Sequence, residues 1–585
     1  MMLLNAGNAL AQQWKGQVGL EGGLGRNVPI YDGFDPLWHG LGQGNASATY
    51  TSPKFEWNVG LNGKFENLDT DNSRFFISVT DPEKEKMSAV YKFNRSRPVT
   101  GRFNTSGLWK PRPGVWYKAT LSYDIRAERG DNLIYREEIS GKVDKVNVDL
   151  QDPFKSKHEV KAGFEMDRHL GSARKVLHGT VNAGTVFQQE RSRWATMRYE
   201  GEDDEKGYLE KAYRLTPQSG AADISANFYY ADSLIHRKDM QLRLAPGLRL
   251  KAAFTSDNNS GATLVDYEKD IWADSTRLRE SFNFLTINFQ PYVMGDFRWK
   301  SLSVHINYSL DLYARKLTDN DAHRDRKMDF VIPYPFGDGW VKWTISPMHS
   351  LTLSNKIEVF HPAYLQICWY ERQGNYPSQM YRGKETLKSR EAWKYALTYD
   401  FKYSRFLSTT MLAATRNMNE VDQTYTNETI NNIDYKVFTW LNASNSWNFE
   451  IEEKLGWRGK WVNANIDADF KHNMRQSITT GEVKRNNEWR LTADATGKFG
   501  KGWQVGADVR YQSKVANFFT IFQGYCTLNA RVQKQLGNWT LTLRGQDLLD
   551  NPRETQFISD DQTEGWIESS RLNRRMVILG ATWKF

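Results

Sequence analysis

The side chains best suited to recognition chemistry in this sequence are two groups of aromatic residues in polar connections. The first group is Tyr31, Phe34 and Trp38, with His39 beside it, and the second is Trp369, Tyr370, Tyr376 and Tyr381. Aromatic rings on loops can stack on sugars or hold a partner protein, so both groups are candidate ligand or partner sites. An interfacial girdle or ordinary loop packing explains the same residues, because aromatic belts mark the edges of membrane-spanning proteins.

The sequence offers little that could support catalysis, a cofactor or a metal. Its ten histidines are scattered, and neither G-x-S-x-G nor H-E-x-x-H is present. His305 alternates with apolar residues and is read as an ordinary polar strand residue. The glycines of Glu21–Gly25 are not followed by Lys-Ser/Thr, which favours a strand kink over a phosphate loop. We therefore predict no enzyme activity, no catalytic residue, no cofactor and no metal.

Charge and cysteine content argue against two further classes. The 78 basic and 69 acidic residues are interspersed without a basic run, so nucleic acid is not a predicted partner. Cys368 and Cys526 lie far apart, without metal-ligand spacing and without the cysteine number of a disulfide scaffold. We read them as unpaired strand residues.

The last ten residues, MVILGATWKF, show what kind of element could position these side chains. Val577, Leu579, Ala581, Trp583 and Phe585 fall on one face of an extended strand. The other face carries Met576, Ile578, Gly580, Thr582 and Lys584. An aromatic residue at a strand tip suits a membrane interface. The segment is therefore predicted to be the closing strand of a barrel, with Val577, Leu579, Trp583 and Phe585 on its apolar face.

Strict alternation of apolar and polar residues recurs along the chain, for example in residues 55–66, 117–126, 302–312 and 393–402. Period-two alternation indicates strands. Hydrophobic residues make up only 39% of the chain and aromatic residues 13%, and no stretch approaches the roughly 18 apolar residues of a membrane helix. A transmembrane barrel reconciles these facts, because only every second strand residue faces lipid. A soluble β-sandwich remains the alternative.

Short and long connections alternate in the sequence. Short turns include residues 51–53, 346–349, 500–502 and 536–538, and long polar connections include 26–44, 66–86, 201–220, 317–327 and 551–570. Short periplasmic turns and long extracellular loops are typical of outer-membrane barrels. At about 25 residues for a strand and its connection, the 585 residues predict an all-β, antiparallel transmembrane barrel of about 22 strands.

The chain is predicted to hold one outer-membrane β-barrel domain, residues 12–585, after a signal-peptide remnant at residues 1–11. Ala9-Leu10-Ala11 before Gln12 is the small-x-small pattern of a signal-peptidase site, although no Lys or Arg precedes Lys15. A start codon assigned too far downstream and an ordinary flexible terminus are the alternatives.

Residues 346–403 carry a more specific pattern ahead of an aromatic strand. The matching positions are Pro362, Tyr364, Leu365, Gly383, Leu387, Glu391 and the strand at 393–403. They resemble an outer-membrane β-barrel family of Bacteroidota related to TonB-dependent receptors, which has Arg-Pro-x-Tyr and Gly-Asn-Pro-x-Leu-x-Pro-Glu elements. The chain departs from that pattern at His361 in place of arginine, at Lys384-Glu385 and at Ser389-Arg390.

The C-terminal residues 528–585 resemble the last three strands of the same family, with Gln546–Asp550 standing where the family has Asp-Leu-Phe-Asn. The resemblance implies an integral outer-membrane protein in contact with lipid that takes part in solute transport. Complete members carry a carboxypeptidase-regulatory-like β-sandwich and a plug before the barrel, and neither is seen here. We therefore expect a plugless barrel, or a plug or lipoprotein partner from another chain. A structural or scaffolding barrel, occluded by its own loops or a partner, is the alternative.

Overall fold

The computed structural model of the chain is built almost entirely from β-strands. It describes residues 14–27, 37–78, 88–139, 143–172, 174–199, 208–266, 271–274, 280–319, 324–325, 329–367, 371–373, 379–384, 386–430, 433–516, 520–551, 553–558, 564–570 and 575–585. Two short helical elements occur among them, α1 at Tyr364–Ile367 and a 3₁₀ turn at Gly500–Gly502. None of the helices in these ranges is long and apolar enough to cross a membrane.

The strands are numbered β1 to β32 in chain order. They are β1 Trp14–Asn27, β2 Leu37–Thr51, β3 Phe55–Ser78, β4 Ser88–Arg112, β5 Val115–Ile139, β6 Val143–His169, β7 Lys175–Tyr199, β8 Tyr208–Leu215, β9 Gln218–His236, β10 Met240–Asn259, β11 Gly261–Asp266, β12 Ile271–Asp274, β13 Glu280–Trp299, β14 Leu302–Asp319, β15 Arg324–Asp325, β16 Asp329–Ser346, β17 His349–Phe360, β18 Glu371–Gln373, β19 Gln379–Arg382, β20 Arg390–Tyr403, β21 Phe406–Ile430, β22 Ile433–Arg458, β23 Val462–Ser477, β24 Val483–Phe499, β25 Trp503–Gln512, β26 Val515–Ala516, β27 Thr520–Phe522, β28 Tyr525–Leu536, β29 Trp539–Gln546, β30 Arg553–Ile558, β31 Glu564–Ser570 and β32 Met576–Lys584.

Twenty-two of these strands close into one antiparallel barrel, which confirms the predicted fold class. Each barrel strand pairs with its neighbour in the sequence of long strands, and β32 returns to pair with β1. The remaining strands are short and lie in the connections: β8, β11, β12, β15, β18, β19, β26, β27, β30 and β31. Closure leaves no unpaired sheet edge at membrane depth, which a structure in lipid requires.

The seam between the first and last strands runs from Gln17 opposite Lys584 to Gly25 opposite Met576. Gly16 and Phe585 extend it by exchanging two backbone hydrogen bonds, of 3.1 and 3.0 Å. Val577, Leu579, Trp583 and Phe585 lie on the outer face of β32 and are exposed. Met576 and Ile578 alternate with them and are buried on the inner face.

The connections separate the two ends of the barrel. The short turns, and with them Trp14 and Phe585, lie at one end, and the longer connections lie at the other. The turns predicted at residues 51–53, 346–349, 500–502 and 536–538 are confirmed. Because outer-membrane barrels have short periplasmic turns, the end with Trp14 and Phe585 corresponds to the periplasmic end of such a barrel.

Several stretches that were predicted to be loops are strands. Leu37–Gly44 belongs to β2 and Glu66–Ser78 belongs to β3, so the loop predictions are wrong for these residues. They are wrong as well for Tyr208–Leu215, Arg553–Ile558 and Glu564–Ser570, which form β8, β30 and β31. Strands β6 and β22 have 27 and 26 residues, whereas a membrane-crossing strand needs only about 9–11. Beyond the membrane both faces of a strand meet water, so no alternating apolar pattern marks these extensions in the sequence.

Candidate functional site

The connection between β17 and β20, residues 361–389, is called the lumen insert, and its described residues, 361–367, 371–373, 379–384 and 386–389, fold into the interior of the barrel. Its Ile367 and Leu387 are buried in one hydrophobic cluster with wall residues of four strands, namely Phe282, Phe284, Leu317, Val421 and Trp440. Phe282 and Phe284 lie opposite the face of β13 that exposes Ile287 and Phe289, and so they point inward. The insert therefore bridges the inner surfaces of β13–β14 and β21–β22.

Backbone pairing holds the insert at the second of these walls. β23 pairs with β22 only from Ser444 to Arg458 and leaves the outer end of β22 with a free edge. β19 adds to that edge in parallel, with Gln379 opposite Lys436 and Arg382 opposite Thr439. The parallel pairing is local to the insert, because the pairings between barrel strands are antiparallel.

His361 fixes the start of the insert against the first wall. Its Nε2 lies 2.8 Å from Oδ2 of Asp311, and its Nδ1 lies 2.8 Å from Oγ of Ser389 at the far end of the insert. The ring stacks on Tyr313 with the planes 4° apart and the centroids 3.8 Å apart. Asp311 is buried and also accepts hydrogen bonds from Asn288 and Gln290. His361 thus joins both ends of the insert to one inward-facing carboxylate.

Arg382 makes the opposite attachment. Its NH1 and NH2 groups each donate a 2.9 Å hydrogen bond to the carboxylate of Glu428 on β21. The hydrogen bond from Arg382 lowers the pKa of Glu428, although partial burial opposes this effect. Glu428 lies far beyond the membrane-spanning part of β21, so this fork–fork pair holds the insert at its extracellular side.

Asparagine side chains secure the end of the insert. Asn442 on β22 accepts a 2.9 Å hydrogen bond from the backbone N–H of Lys388 and donates to the Lys388 carbonyl at 3.1 Å. It also donates to the carbonyl of Asn419, whose backbone is left-handed, with φ of 56°. Asn419 in turn donates to the Ser389 carbonyl. The backbone polar groups at this end are therefore satisfied by the wall.

The inner wall below the insert carries paired charges. Glu450 on β22 binds Lys394 of β20 at 2.8 Å and Lys471 of β23 at 3.1 Å, and Lys471 also binds Asp469 at 3.0 Å. Farther round the barrel, Lys155 pairs with Glu190 at 3.1 Å. Such charges require water on the inner side, and they make the lumen polar.

A cavity of about 660 Å³ lies against the inner wall of β2–β7 and β9. Its polar lining consists mainly of small uncharged side chains, together with Lys161 and Asp223: Ser47, Thr49, Asn58, Asn104, Ser106, Thr120, Ser122 and Asn182. A Cβ at Gly163 would lie 2.6 Å from Oγ1 of Thr120 and 2.7 Å from Oδ1 of Asn182. Glycine there keeps the wall recessed.

The aromatic candidates from the sequence do not form one site among the described residues. Trp38 lies at the start of β2 with its ring exposed on the outer face, 5.4 Å from the guanidinium carbon of Arg26. The backbone of Tyr381 lies in β19 opposite Phe438. Tyr31, Phe34, Trp369, Tyr370 and Tyr376 fall outside the described residues. Both groups therefore stay predictions as ligand or partner sites.

Other predictions concern residues scattered over the wall. Nδ1 of His305 lies 2.7 Å from Oδ1 of Asp296, which accepts its hydrogen bond, and the ring stacks on Trp340. Cys526 has a free thiol, and Cys368 lies outside the described residues. Within the ranges that the structure describes, no three His, Cys, Asp or Glu residues are grouped to hold a metal.

The anchors of the insert were missed by sequence reasoning, although one signal was visible. His361 stood out as a departure from the family's arginine, but its partner Asp311 lies 50 residues earlier. Arg382 and Glu428 are 46 residues apart. Only the register of the barrel strands brings these pairs together.

The comparisons with known proteins agree with this architecture. The sequence profile described as "Outer membrane protein beta-barrel family" matches residues 241–583. The chain belongs to this family. The match covers the insert and the strands on both sides of it, and it confirms the predicted family and the integral outer-membrane localisation. The Bacteroidota origin stays a prediction. No curated protein matches the chain.

Solved structures share the barrel fold at low sequence identity. P. aeruginosa FpvA bound to a heterologous ferric pyoverdine has a TM-score of 0.63 and 10% identity over 98% of this chain and 72% of that one. The unliganded ferric citrate transporter FecA has a TM-score of 0.59 and 10% identity, covering 98% and 79%. The copper transporter OprC has a TM-score of 0.59 and 11% identity, covering 98% and 80%. At this identity the likeness shows the barrel fold alone.

Proposed function

We propose that the chain carries a polar solute across the outer membrane and that the lumen insert is the constriction through which that passage is controlled. The observation that carries the proposal is the insert itself. It crosses the interior between two walls of a 22-strand barrel, held by the His361–Asp311 and Arg382–Glu428 pairs. A barrel of this width would otherwise enclose an aqueous channel or a plugged lumen.

The lining of the lumen supports a polar solute. Paired Lys and Glu side chains, and a recess whose polar lining is mainly Asn, Ser and Thr, offer hydrogen bonds to a solute. FecA and OprC are described as transporters, and the FpvA structure holds a ferric pyoverdine. These proteins support transport by analogy of fold, and the solute of this chain is not carried over from them.

The proposal extends to what surrounds the barrel. The outer face contacts lipid, and a plug or lipoprotein partner from another chain would complete the closure of the lumen. The predicted absence of a plug concerns sequence beyond the described barrel and stays a prediction. The chain is proposed to act as a transporter and not as an enzyme. Ser389, His361 and Asp311 do form a chain of hydrogen bonds, but Ser389 and Asp311 are buried, and the three side chains serve to attach the insert to the wall.

Conductance across a planar bilayer tests the proposal. The purified wild-type barrel is expected to give a low or flickering current, because the insert obstructs the lumen only in part and is held by non-covalent contacts. Addition of a polar solute that passes through the lumen should block this current transiently. A bilayer that holds folded barrels and shows neither current nor solute-dependent events would contradict transport through this chain alone.

A structural or scaffolding barrel is the second candidate, and the insert also favours it. The His361–Asp311 and Arg382–Glu428 pairs, a hydrophobic cluster and an added strand are strong attachments for a gate. If the insert never leaves the lumen, the barrel is permanently occluded and serves to present its extracellular strands. Silent bilayers with the wild type, and equally silent bilayers after both side-chain pairs are removed, would favour this role.

A further inference from the structure

A row of arginines crosses the outer face of the barrel just outside the apolar band. Arg97 on β4 lies directly opposite Arg129 on β5, Arg129 lies opposite Phe154 on β6, and Phe154 lies opposite Arg191 on β7. Arg193 stands two residues beyond Arg191 on the same face. The four arginines of this "outer arginine row" are exposed.

The register shows that the row faces outward. Val99, Ile125 and Phe187 lie on the same faces of their strands as Arg97, Arg129 and Arg191, and all three are exposed apolar side chains of the lipid band. The alternating positions Ser96, Glu128 and Glu190 point into the lumen. The tripeptide Arg-Ser-Arg occurs twice, at residues 95–97 and 191–193. Because strand side chains alternate between the two faces, both arginines of each tripeptide lie on the outer face of the barrel.

The depth of the row corresponds to lipid headgroups. Trp109 is one of the aromatic residues near the periplasmic turn that follows β4. Arg97 lies twelve residues before it on the same strand, toward the extracellular end. Twelve residues at about 3.3 Å each, tilted by about 40°, span about 30 Å across the membrane. That distance equals the thickness of the hydrocarbon core, so the guanidinium groups lie at the phosphate level of the outer leaflet.

The charges of the row are only partly balanced by the protein, in which the outward-facing Asp152 of β6 lies opposite Arg193 of β7. On the inner face of the same wall, Arg126 pairs with Glu128 at 2.7 Å and Lys155 pairs with Glu190 at 3.1 Å. On the outer face, Arg95 forms an ion pair with Asp69 at 3.4 Å, and the ion pair of Arg129 is with the exposed Asp152, at 4.0 Å. Among the described residues, no carboxylate lies within salt-bridge distance of Arg97, Arg191 or Arg193.

Such an arrangement is unfavourable in the protein alone. Like charges directly opposite each other in an antiparallel pair destabilise the sheet, and Arg97 and Arg129 are such a pair. An anion between them removes the repulsion, and arginine forms paired hydrogen bonds with phosphate oxygens. Arg416, elsewhere on the outer face, has a protein partner, because its guanidinium carbon lies 5.7 Å from the centre of the Trp447 ring.

We infer that the outer arginine row is a binding site for the phosphate groups of an outer-leaflet glycolipid. Arg97 and Arg129 would hold one phosphate between them, and Arg191 and Arg193 a second, about two strand spacings or about 10 Å away. Phe154, exposed between the two pairs, would contact the glycolipid where its acyl chains begin. The site is independent of the lumen and of the solute.

Native mass spectrometry of the detergent-solubilised barrel tests the inference. The probe is bisphosphorylated lipid A, and the control lipid is the same molecule after dephosphorylation. The wild type is expected to retain the phosphorylated lipid far more strongly. R97Q/R129Q/R191Q should weaken retention about 100-fold, since each basic side chain near an anionic surface contributes about fivefold. The control R112Q/R174Q/R237Q removes three exposed arginines at the periplasmic end and should bind as the wild type does.

The lysine variant R97K/R129K/R191K keeps the positive charge and guards against a folding defect. It should bind between the wild type and the glutamine variant, because lysine cannot form the paired hydrogen bonds. Equal retention by wild type and glutamine variant would overturn the inference. So would equal binding of the dephosphorylated lipid, or displacement of the lipid by an equal concentration of inorganic phosphate, which would assign the row to free phosphate.

Discussion

Nε2 of His361 lies 2.8 Å from Oδ2 of Asp311, and this contact joins the first residue of the lumen insert to the inner wall of β14. Asp311 is buried and accepts hydrogen bonds from two amide side chains of β13, so the wall itself also fixes the orientation of its carboxylate. The contact therefore determines where the insert enters the lumen.

Replacing His361 by alanine should loosen the insert without unfolding the barrel. The buried carboxylate of Asp311 would lose one partner, at a cost of about 2 kcal/mol, which corresponds to about 30-fold more of the opened insert. Limited proteolysis of the folded protein would measure the rate of cleavage within residues 361–389. H361R places the family's arginine beside the same carboxylate and should restore the wild-type rate. Unchanged cleavage in H361A would mean that the pair does not hold the insert.

Leu387→Ala should have a larger effect on the same segment. Leu387 is buried between β13–β14 and β21–β22, and removal of a buried leucine side chain costs about 2–5 kcal/mol. Hydrogen exchange should show loss of protection in the insert and in β19, with the barrel strands unchanged. Leu353→Ala is the control, since Leu353 is 59% exposed on the outer face. If both variants exchanged alike, the cluster would have no role in holding the insert.

Acid should release the extracellular side of the insert. The pKa of Glu428 is lowered by Arg382, so the stabilisation is fully present above the ordinary glutamate pKa of about 4.3 and is lost as the pH falls through the lower folded value. Pepsin cleavage of the insert should therefore rise steeply over that pH range in the wild type. E428Q should already be cleaved faster at higher pH and should show a shallower rise. Parallel pH profiles for the two proteins would exclude Glu428 as the acid-sensitive group.

Glu450→Gln should change the ion selectivity of the lumen. Glu450 lies between Lys394 and Lys471, and its loss leaves two lysine side chains without this shared carboxylate. The reversal potential in a salt gradient should move toward anion selectivity. Lys394→Gln is the matched opposite change and should move it toward cations. A common direction of shift for the two variants would show that these residues do not line the conducting path.

Leu579→Arg tests the lipid-facing side of the closing strand. Leu579 is exposed on the outer face of β32 opposite Leu543 of β29. Arginine at the bilayer midplane of a barrel costs about 2–4 kcal/mol. Refolding into vesicles should show this loss of stability, whereas Thr542→Arg, at a neighbouring inward position, should fold with little change. Equal destabilisation by the two substitutions would mean that Thr542 and Leu579 lie in the same environment, and it would contradict the assignment of Leu579 to the lipid-facing side.

The barrel could largely be predicted from the sequence, because lipid on one side and water on the other impose alternation on every membrane-spanning strand. The Val577–Phe585 face, the short turns and the strand number follow from that rule. The extension of β3 to Ser78 could not, since both of its faces meet water there. Nor could the position of the insert, because Pro362, Tyr364 and Leu387 mark its family but not the side of the wall on which it lies. Its anchors depend on strand register over 46 and 50 residues, which local patterns do not encode.

Single-channel conductance of a barrel whose residues 363–388 are replaced by a short Gly-Ser linker tests the central claim most directly. His361 and Ser389 remain, so the strands β17 and β20 keep their ends. If the insert is the constriction of a transport barrel, this variant should give a large, stable current where the wild type gives a low or flickering one. Folded variant and wild-type barrels with the same conductance would contradict the claim.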